Sequence, residues 1–401
     1  MKTYDLIIVG AGIAGKATSL RLAQLGLKIL HIAPSFDTGF VGNDSQVWDS
    51  RIYALSASTK QLLEKIHVWD ALDSERIQVV SDMRIYGDSG VAGDELHFSA
   101  YSATVPQLAW IVESGHIEKT LDQACKFQGL IQRVTDKLVD FKSDNESVTV
   151  TTESGETYSA KLLLAADGAR SLIREKLQIE TAINAYEQTA IVANFEVEKH
   201  HQGTACQWFL PGGEILALLP LPNKKLSMVW SARTDHAEQL KQLSADELCA
   251  KVAKAAGSQV FEKTGSLKML TAQQGFPLRR MRAKRVIAPN DYPRIILIGD
   301  AAHVMHPLAG QGLNLGLRDV ASLGDILESR EAFREIDNPV ILRRYERARS
   351  GDTDILLFVT DQLQKLFASE TSRLKELRNI GIRWCNRSHF LKRQLIKKAL
   401  S

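Results

Sequence analysis

The apolar residues at the start of the chain follow two different periods. Residues 6–9 form a continuous apolar run of strand length, and the segment after the glycine turn at 10–15 carries apolar residues at helical spacing to about Leu25. Gly26 is a helix stop, and residues 28–33 form a second strand-like run. This order predicts a βαβ unit whose two strands are parallel.

Strand patterns return farther along the chain. Residues 75–105 favour a sheet because apolar residues stand at alternate positions near several turn residues. These positions are Met83, Ile85, Leu96 and Phe98. Residues 105–124 carry a helical pattern, and strands are predicted at 148–152 and 162–166, the second ending at Asp167-Gly168. The last strand indicates that the chain has come back to its first domain.

Residues 181–280 form a sheet-rich stretch. Strand-like segments occur in it at 190–197, 206–210, 215–220 and 226–230. A helical pattern follows at 245–256. Beyond this stretch, residues 294–298 predict a buried strand that ends at Gly299-Asp300, and the chain after Gly312 is mainly helical.

These elements predict an α/β protein with a Rossmann-like dinucleotide-binding domain, an inserted sheet-rich substrate domain and a helical C-terminal region. The binding domain is discontinuous and is predicted to comprise residues 1–75, 105–180 and 281–345. The substrate domain comprises 76–104 and 181–280, and the C-terminal region covers 346–401.

Composition narrows the class of protein. The chain has 401 residues, 44% hydrophobic and 24% charged, which is typical of a globular protein. Its longest apolar runs fall well short of the roughly 20 residues of a spanning helix. Because the strand pattern begins at about Tyr4, we expect no secretory leader. We therefore expect a cytoplasmic protein. A net charge of +3 does not indicate nucleic-acid binding. The cysteines are scattered, which predicts reduced thiols; they are Cys125, Cys206, Cys249 and Cys385.

The glycine turn between the first strand and helix matches G-x-G-x-x-G. Gly10 permits the tight turn, Gly12 lets the backbone approach a pyrophosphate, and Gly15 allows close packing of helix on strand. Ile13 and Ala14 stand at the helix start, where unpaired amides can bind phosphate. The motif predicts dinucleotide binding, and by itself it does not distinguish FAD from NAD.

An acidic residue that binds the adenosine ribose is expected about 20 residues after the glycines, at the end of the second strand. Ala33 occupies that position. Ser35, Asp37, a backbone group or a water molecule remain alternatives for this contact.

Two later turns carry a family resemblance. Residues 162–171, LLLAADGARS, and residues 298–303, IGDAAH, resemble the DG and GD motifs of the class A flavoprotein monooxygenases, the fold group of para-hydroxybenzoate hydroxylase. The resemblance implies that the dinucleotide is FAD. It places Asp300 at the ribitol of FAD. It places Asp167 and Gly168 where the pyrophosphate and the incoming NAD(P)H bind.

Residues 306–319, HPLAGQGLNLGLRD, are the most specific motif. Their glycines leave amides bare at a helix start, where they can stabilise negative charge on a reduced flavin. This stretch is similar to the signature of the ubiquinone-biosynthesis aromatic hydroxylases, the UbiH/UbiF/VisC group. The flavin contacts implied are Gly10, Gly12, Ile13, Ala14, Gly15, Arg51, Asp167, Gly168, Gly299, Asp300, Pro307, Gly310, Gly312, Leu313 and Asn314, with His306 and Pro307 near the ring.

The resemblance covers essentially the whole chain. Further matching positions are residues 49–55, 111–113 and 276–278, together with Tyr345, Arg349, Asp352, Thr360 and Asp361. Two departures concern Ser114, where the family has Asn, and residues 202–213, which follow the pattern loosely.

The activity implied is hydroxylation of a polyprenylated phenol in ubiquinone biosynthesis. NADPH or NADH would reduce FAD, dioxygen would add at flavin C(4a), and the hydroperoxide would attack the ring, so no protein nucleophile is needed. Two alternatives stay open: a hydroxylase of another aromatic substrate, and a non-catalytic binding protein on the same fold. A halogenase would carry a W-x-W-x-I-P stretch, which this sequence lacks.

Several residues have both a functional and an ordinary interpretation. Candidates for the substrate face, each of which could equally be core, are Tyr186, Gln188, Gln207, Phe209 and Trp230. His303 and His306 stand three apart without ligand partners at metal-site spacing, so no metal is predicted.

The last predicted helix is basic and amphipathic. Its cations are Arg387, Lys392, Arg393, Lys397 and Lys398, interleaved with apolar residues. It is either a solvated face or a contact with anionic lipid at the inner face of the membrane. Other ubiquinone-biosynthesis proteins are further candidate partners.

Overall fold

The computed structural model describes residues 3–37, 47–87, 95–257, 264–305 and 311–351. The strands in these ranges are β1 (Thr3–Val9), β2 (Ile29–Ala33), β3 (Ile52–Leu55), β4 (Gln78–Val80), β5 (Asp82–Tyr86), β6 (Glu95–Ser99), β7 (Ala109–Glu113), β8 (Ile131–Thr135), β9 (Leu138–Ser143), β10 (Val148–Thr152), β11 (Thr157–Ala165), β12 (Thr181–Val197), β13 (Thr204–Leu210), β14 (Glu214–Leu221), β15 (Lys225–Arg233), β16 (Leu267–Met269), β17 (Gln274–Ala283), β18 (Ile287–Ala288), β19 (Ile295–Leu297) and β20 (His303–Val304). The helices are α1 (Ile13–Ala23), α2 (Ala57–Lys65), α3 (Ala100–Ala103), α4 (Ser114–Phe127), α5 (Leu172–Lys176), α6 (Thr234–Gln242), α7 (Ala245–Ala256), α8 (Gln311–Glu328) and α9 (339–351).

The first sheet has a parallel centre. Its strand order is β18-β19-β11-β1-β2-β8, and the β9–β10 hairpin joins at β11. Strands β19, β11, β1, β2 and β8 run parallel, so their carboxyl ends meet at one edge. Leu6 and Ile8 pack under α1, α4 and α8 on one face, and Ile7 and Val9 pack on the other. Apolar residues on both faces are what a fully covered parallel sheet requires.

The second sheet is larger and mostly antiparallel. Its order is β20-β17-β12-β15-β14-β13-β5-β6, and β16 also pairs with β12. Within this sheet, β13 and β5 pair with each other in parallel. Side chains on one face, including Phe195 and Trp208, pack against Leu240, Leu248 and Val252 of α6 and α7. The other face is turned toward the first sheet's carboxyl edge.

A short third sheet, β3-β7-β4, stands between the two. It corrects the helix predicted at 105–124, because residues 109–113 form a strand and the helix begins at Ser114. Ile111 and Val112 are fully buried in this strand, and β-branched residues of this kind favour a paired strand. Strand β4 pairs with β7 and so belongs to the third sheet. Within the 76–104 segment, the part that joins the second sheet therefore begins at β5. The predicted domain boundaries stay predictions.

A buried ion pair ties the third sheet together. Glu113 is fully buried, and its Oε2 accepts from Arg76 Nε at 2.7 Å. Its Oε1 accepts from the backbone N–H of Asp49 at 2.6 Å. The carboxylate thus joins the segment before β3, the start of β4 and the end of β7.

Replacing Glu113 by Ala should leave the Arg76 guanidinium buried without its partner, which costs about 3–5 kcal/mol of unfolding free energy. Urea unfolding followed by circular dichroism measures the loss. The double variant Arg76→Met/Glu113→Met should recover most of it, because no unpaired charge remains. Equal losses in the two variants would contradict this account.

Candidate functional site

Two turns at the carboxyl edge of the first sheet are in direct backbone contact. Gly10 has a φ of +116°, and a Cβ there would lie 2.2 Å from the carbonyl oxygen of Ala166. A Cβ on Gly15 would lie 2.0 Å from the carbonyl oxygen of Gly10. Apart from the chain neighbours of Gly12, no atom of the described residues lies within 4 Å of a Cβ built on Gly12, which is the N-cap of α1. The first and third glycines are therefore required for packing, and the second leaves space beside bare helix amides.

The third turn closes against the same place. Gly299 has a φ of +61°, and its Cβ position is 3.2 Å from Ala14 Cβ. A Cβ on Gly316 of α8 would lie 3.2 Å from Gly299 Cα. Helix α8 therefore begins beside the α1 start, and the three turns form one continuous wall.

A buried carboxylate fixes this third turn. Asp319 accepts from the Gly299 N–H at 2.9 Å and from His303 Nε2 at 2.7 Å, and its other oxygen accepts from Arg349 Nε at 2.7 Å. Burial alone would raise the pKa of Asp319, but His303 and Arg349 hold it below its ordinary value. Asp319 therefore stays ionised and holds α8, α9 and the turn together.

A cavity of about 460 Å³ lies between the three turns and the second sheet. The wall formed by the second sheet carries small apolar side chains. They include those of Ala190, Val192, Ala217, Leu219 and Val229. Such a wall can exclude water from a planar ligand.

One carboxyl group lines the turn side of the cavity, and a second lies between two residues that line it, Ala166 and Gly168. Asp300 lines the cavity, and removal of water by the surrounding protein raises its pKa. Asp167 accepts a hydrogen bond from the Ile173 N–H at 3.3 Å, and its Oδ1 is buried without a hydrogen-bond partner among the described residues. Burial likewise raises the pKa of Asp167. An unsatisfied oxygen here and the space beside Gly12 both fit a polyhydroxylated dinucleotide such as FAD.

The predicted flavin contacts are mostly at this wall. Gly12, Ile13, Ala14, Arg51, Gly168, Gly299, Asp300, Gly312 and Leu313 line the cavity. Gly10, Gly15 and Asp167 are directly behind it by the contacts described above. His306, Pro307, Gly310, Asp352, Thr360, Asp361 and the basic segment 387–398 lie outside the described residues.

The Asn314 side chain joins α8 to the junction of β3 and α2. Its fully buried side chain accepts from the Ser56 N–H at 2.9 Å and from Thr59 Oγ1 at 2.7 Å, and it donates to the Ala54 carbonyl at 2.8 Å. Both ends of the amide are thus used to clamp the junction of β3 and α2. Asn314 is not among the described residues that line the cavity, and its predicted contact with the flavin stays a prediction.

The substrate-face candidates divide by strand alternation. Of the two alternatives given for these residues, Gln207 lines the cavity, whereas Trp230 belongs to the core. Trp230 packs in the core under α6 and α7, and its Nε1 donates to Glu214 at 3.0 Å. Its neighbours Val229 and Ser231 line the cavity instead.

Like Trp230, the three remaining candidates are not among the described residues that line the cavity. Phe209 packs against Ile215, and Gln188 donates to the Gly213 carbonyl at 2.9 Å. Tyr186 lies where the register of β12 against β17 shifts. Strand register, which a single sequence does not contain, decides these positions.

Glu118 of α4 is a wall residue that sequence reasoning missed. It accepts a hydrogen bond from Ser114 Oγ at 3.2 Å. No motif includes it, although its spacing of four from Ser114 places both on one helix face. Its carboxylate could accept hydrogen bonds from cofactor hydroxyl groups.

His31 lies beneath the glycine turn and was also missed. It is fully buried, its Nε2 donates to the Gly10 carbonyl at 2.9 Å, and its Nδ1 contacts Ser19 Oγ at 3.0 Å. Burial lowers the pKa of His31 to about 4, so the ring is neutral at pH 7. The imidazole supports the turn as an uncharged donor.

The ribose position keeps its alternatives. Ala33 is buried, and Ser35 Oγ accepts from the Asp37 N–H at 3.0 Å in an exposed turn. Within the described parts of the chain, no group of three or more His, Cys, Asp or Glu side chains could hold a metal ion. Among the same residues, no helix has the length and apolar character that a membrane crossing requires.

Comparisons with known proteins agree with this geometry. The model of the family described as FAD binding domain matches residues 3–351. Ubiquinone hydroxylase UbiL of Rhodospirillum rubrum is 31% identical over 100% of this chain and 90% of that protein. The 3-demethoxyubiquinol 3-hydroxylase of Escherichia coli is 32% identical over 99% of this chain and 98% of that protein.

Solved structures show the same fold at lower identity. The p-nitrophenol 4-monooxygenase PnpA of Pseudomonas putida superposes with a TM-score of 0.75 at 16% identity, covering 100% of this chain and 99% of that one. Klebsiella pneumoniae HpxO, complexed with FAD and uric acid, gives a TM-score of 0.72 at 16% identity, covering 98% and 97%.

Gly10→Ala and Gly12→Ala should separate folding from cofactor binding. Gly10→Ala clashes with the Ala166 carbonyl and requires a strained φ, so both stability and FAD binding should be lost. Gly12 has an extended backbone, φ −70° and ψ 175°, that Ala tolerates, so the urea midpoint of its apoprotein should match wild type. FAD fluorescence titration should show affinity about 10- to 100-fold weaker, the effect of a clash worth about 1–3 kcal/mol. Wild-type FAD affinity in Gly12→Ala would disprove this use of the turn.

Acid should weaken the fold through His31. The pKa of His31 is depressed to about 4 by burial, from the ordinary 6.5, so the unfolded chain takes up a proton as pH falls below 6.5 and the folded protein does not. Stability is thus complete above this pH and declines as it falls toward 4, by about 2 kcal/mol at pH 5. Urea unfolding at pH 7 and pH 5 measures this. His31→Gln keeps a donor but does not titrate, so its loss should be smaller; an equal loss would rule out His31 as the cause.

Proposed function

The chain belongs to the FAD binding domain family, and from this premise we propose that it hydroxylates the aromatic ring of a polyprenylated phenol in ubiquinone biosynthesis. The protein is an FAD-dependent monooxygenase that takes reducing equivalents from NADPH or NADH. The observation that carries the proposal is the cavity of about 460 Å³ shared by the three turns and an apolar sheet face. The full-length similarity to ubiquinone hydroxylases supports the substrate class.

The described residues fit an FAD bound along the three turns. The amides at the start of α1, beside Gly12, would hold the pyrophosphate, and Asp300 would accept from ribitol hydroxyls. The amides of Gly312 and Leu313 at the start of α8 would face the ring system. Bound FAD supplies hydride acceptance from NAD(P)H and activation of dioxygen.

The chain's contribution is to position the ring and to exclude water. Ala190, Val192 and Val229 present small apolar groups toward the turns, which leaves room for a flat aromatic ring. Gln207 and Ser231 are polar groups in the same wall that could hydrogen-bond a phenol. The other apolar wall residues would accommodate part of an isoprenoid chain.

We further propose that the protein works in the cytoplasm, at the inner face of the membrane where a polyprenylated substrate resides. Support comes from the composition of residues 387–398, in which single and paired cations are interleaved with apolar residues. Removal of this segment should reduce binding to anionic vesicles and leave FAD affinity unchanged.

A host deleted for the gene should accumulate a quinone precursor that lacks one ring hydroxyl group, identified by mass spectrometry. The wild-type gene should restore ubiquinone, and the Gly12→Ala variant should restore it less. Purified protein should be yellow and should lose its colour with NAD(P)H. Intact ubiquinone with no accumulating precursor would refute the pathway, and colourless protein that takes up no FAD would favour a non-catalytic binding protein.

A further inference from the structure

Asn194 lies near the carboxyl end of β12, and among the described residues one end of its side-chain amide has no hydrogen-bond partner. The residue is fully buried, and its Nδ2 donates to the backbone carbonyl of Asp49 at 2.8 Å. Its Oδ1 is buried and has no hydrogen-bond partner in the part of the chain that the structure describes. The side chain therefore makes one hydrogen bond, to a segment outside its own sheet, and leaves a buried acceptor unpaired.

The residue opposite Asn194 on the neighbouring strand also has a buried polar atom that is unpaired among the described residues. Ser227 of β15 is its cross-strand neighbour and is fully buried, and no described residue forms a hydrogen bond with its Oγ. Strand alternation places both on the same face as Val192 and Val229, which line the cavity. Two polar groups thus lie at the end of the cavity-facing rows, in an otherwise apolar layer.

This arrangement costs stability. A buried polar atom without a partner costs about 1–3 kcal/mol, more than one neutral hydrogen bond returns. A leucine at position 194 would remove the unpaired acceptor and bury apolar surface, which offsets the loss of the donor to the Asp49 carbonyl. Stability therefore does not explain the amide, and the explanation must lie in the segment that it holds.

The segment held by Asn194 contains Asp49, two residues before Arg51. The Asp49 carboxylate accepts from the Arg51 N–H at 2.9 Å and from the Gly115 N–H at 2.9 Å, which fixes the backbone on the side of the first sheet. Asn194 supplies the hydrogen bond from the second sheet. The Arg51 guanidinium lines the cavity, 5.4 Å from the ring centroid of Tyr53 and 5.9 Å from that of Phe276 on β17.

We propose that Asn194 is a positioning residue that couples the substrate-binding sheet to Arg51. A substrate bound against β12 and β15 displaces the strand slightly, and the bond to Asp49 transmits this to the guanidinium at the flavin site. Arg51 then takes its productive position when the ring is in place. This inference rests on the proposed function and adds to it a link between substrate and flavin.

The test uses full-length protein loaded with FAD. The variants are Asn194→Leu, which removes the bond; Ser227→Ala, the matched control that removes the neighbouring hydroxyl; Arg51→Ala; and Arg51→Ala/Asn194→Leu. Three quantities are measured: the urea midpoint, the change in flavin absorbance on adding a prenylated phenol, and the NAD(P)H consumed per hydroxylated product.

Asn194→Leu should unfold at a urea concentration equal to or above that of wild type. It should nevertheless lose the absorbance change and consume about tenfold more NAD(P)H per product, since small misplacements at a reacting centre have effects of this size. Ser227→Ala should match wild type in both flavin measurements. In the Arg51→Ala background, Asn194→Leu should add no further change, because the two residues act through one path.

Three results would overturn the proposal: wild-type flavin behaviour in Asn194→Leu, a stability loss in that variant, or additive effects of the two substitutions. Wild-type protein that takes up no FAD would contradict the proposed function and this inference with it. Active wild-type enzyme with unaffected variants would contradict this inference alone.

Discussion

The contact between Gly10 and the Ala166 carbonyl is the constraint on which the site depends. A methyl group at Gly10 would lie 2.2 Å from that oxygen, so the turns after β1 and β11 can meet only as bare backbone. Because these strands are parallel neighbours, their ends reach the same edge, and the turn after β19 joins them through Gly299 and Gly316. The close approach turns three separate loops into one wall that a long cofactor can follow.

Buried charges hold the rest of the molecule against this wall. Asp319 ties the third turn to α8 and α9, and Glu113 ties the third sheet to the segment before β3. Asp49 belongs to that segment and also receives the bond from Asn194 on the large sheet. The cavity is thus bounded by parts whose mutual positions are set by hydrogen bonds to carboxylates and a backbone carbonyl, and the wall formed by the second sheet is mainly apolar.

Much of this was predictable because local chemistry agreed with the tertiary structure. Helix α7 begins and ends where predicted, at 245 and 256, since Ser244 and Glu247 form a capping box and Gly257 follows the last turn. The glycine positions were predictable because their backbone requirements are local. The strand at 109–113 was missed because its partners are β3 and β4, which are distant in sequence. For the same reason, the sequence did not reveal which face Trp230 occupies or that Asn314 serves the β3–α2 junction.

The central claim is that oxygen transfer to an aromatic ring occurs at the wall formed by the three turns. The most direct measurement supplies the purified, FAD-loaded protein with NAD(P)H, a prenylated phenol and isotopically labelled dioxygen, and determines the product by mass spectrometry. The account predicts one labelled oxygen in the new ring hydroxyl. Label-free product, or NAD(P)H oxidation without any hydroxylated ring, would contradict it.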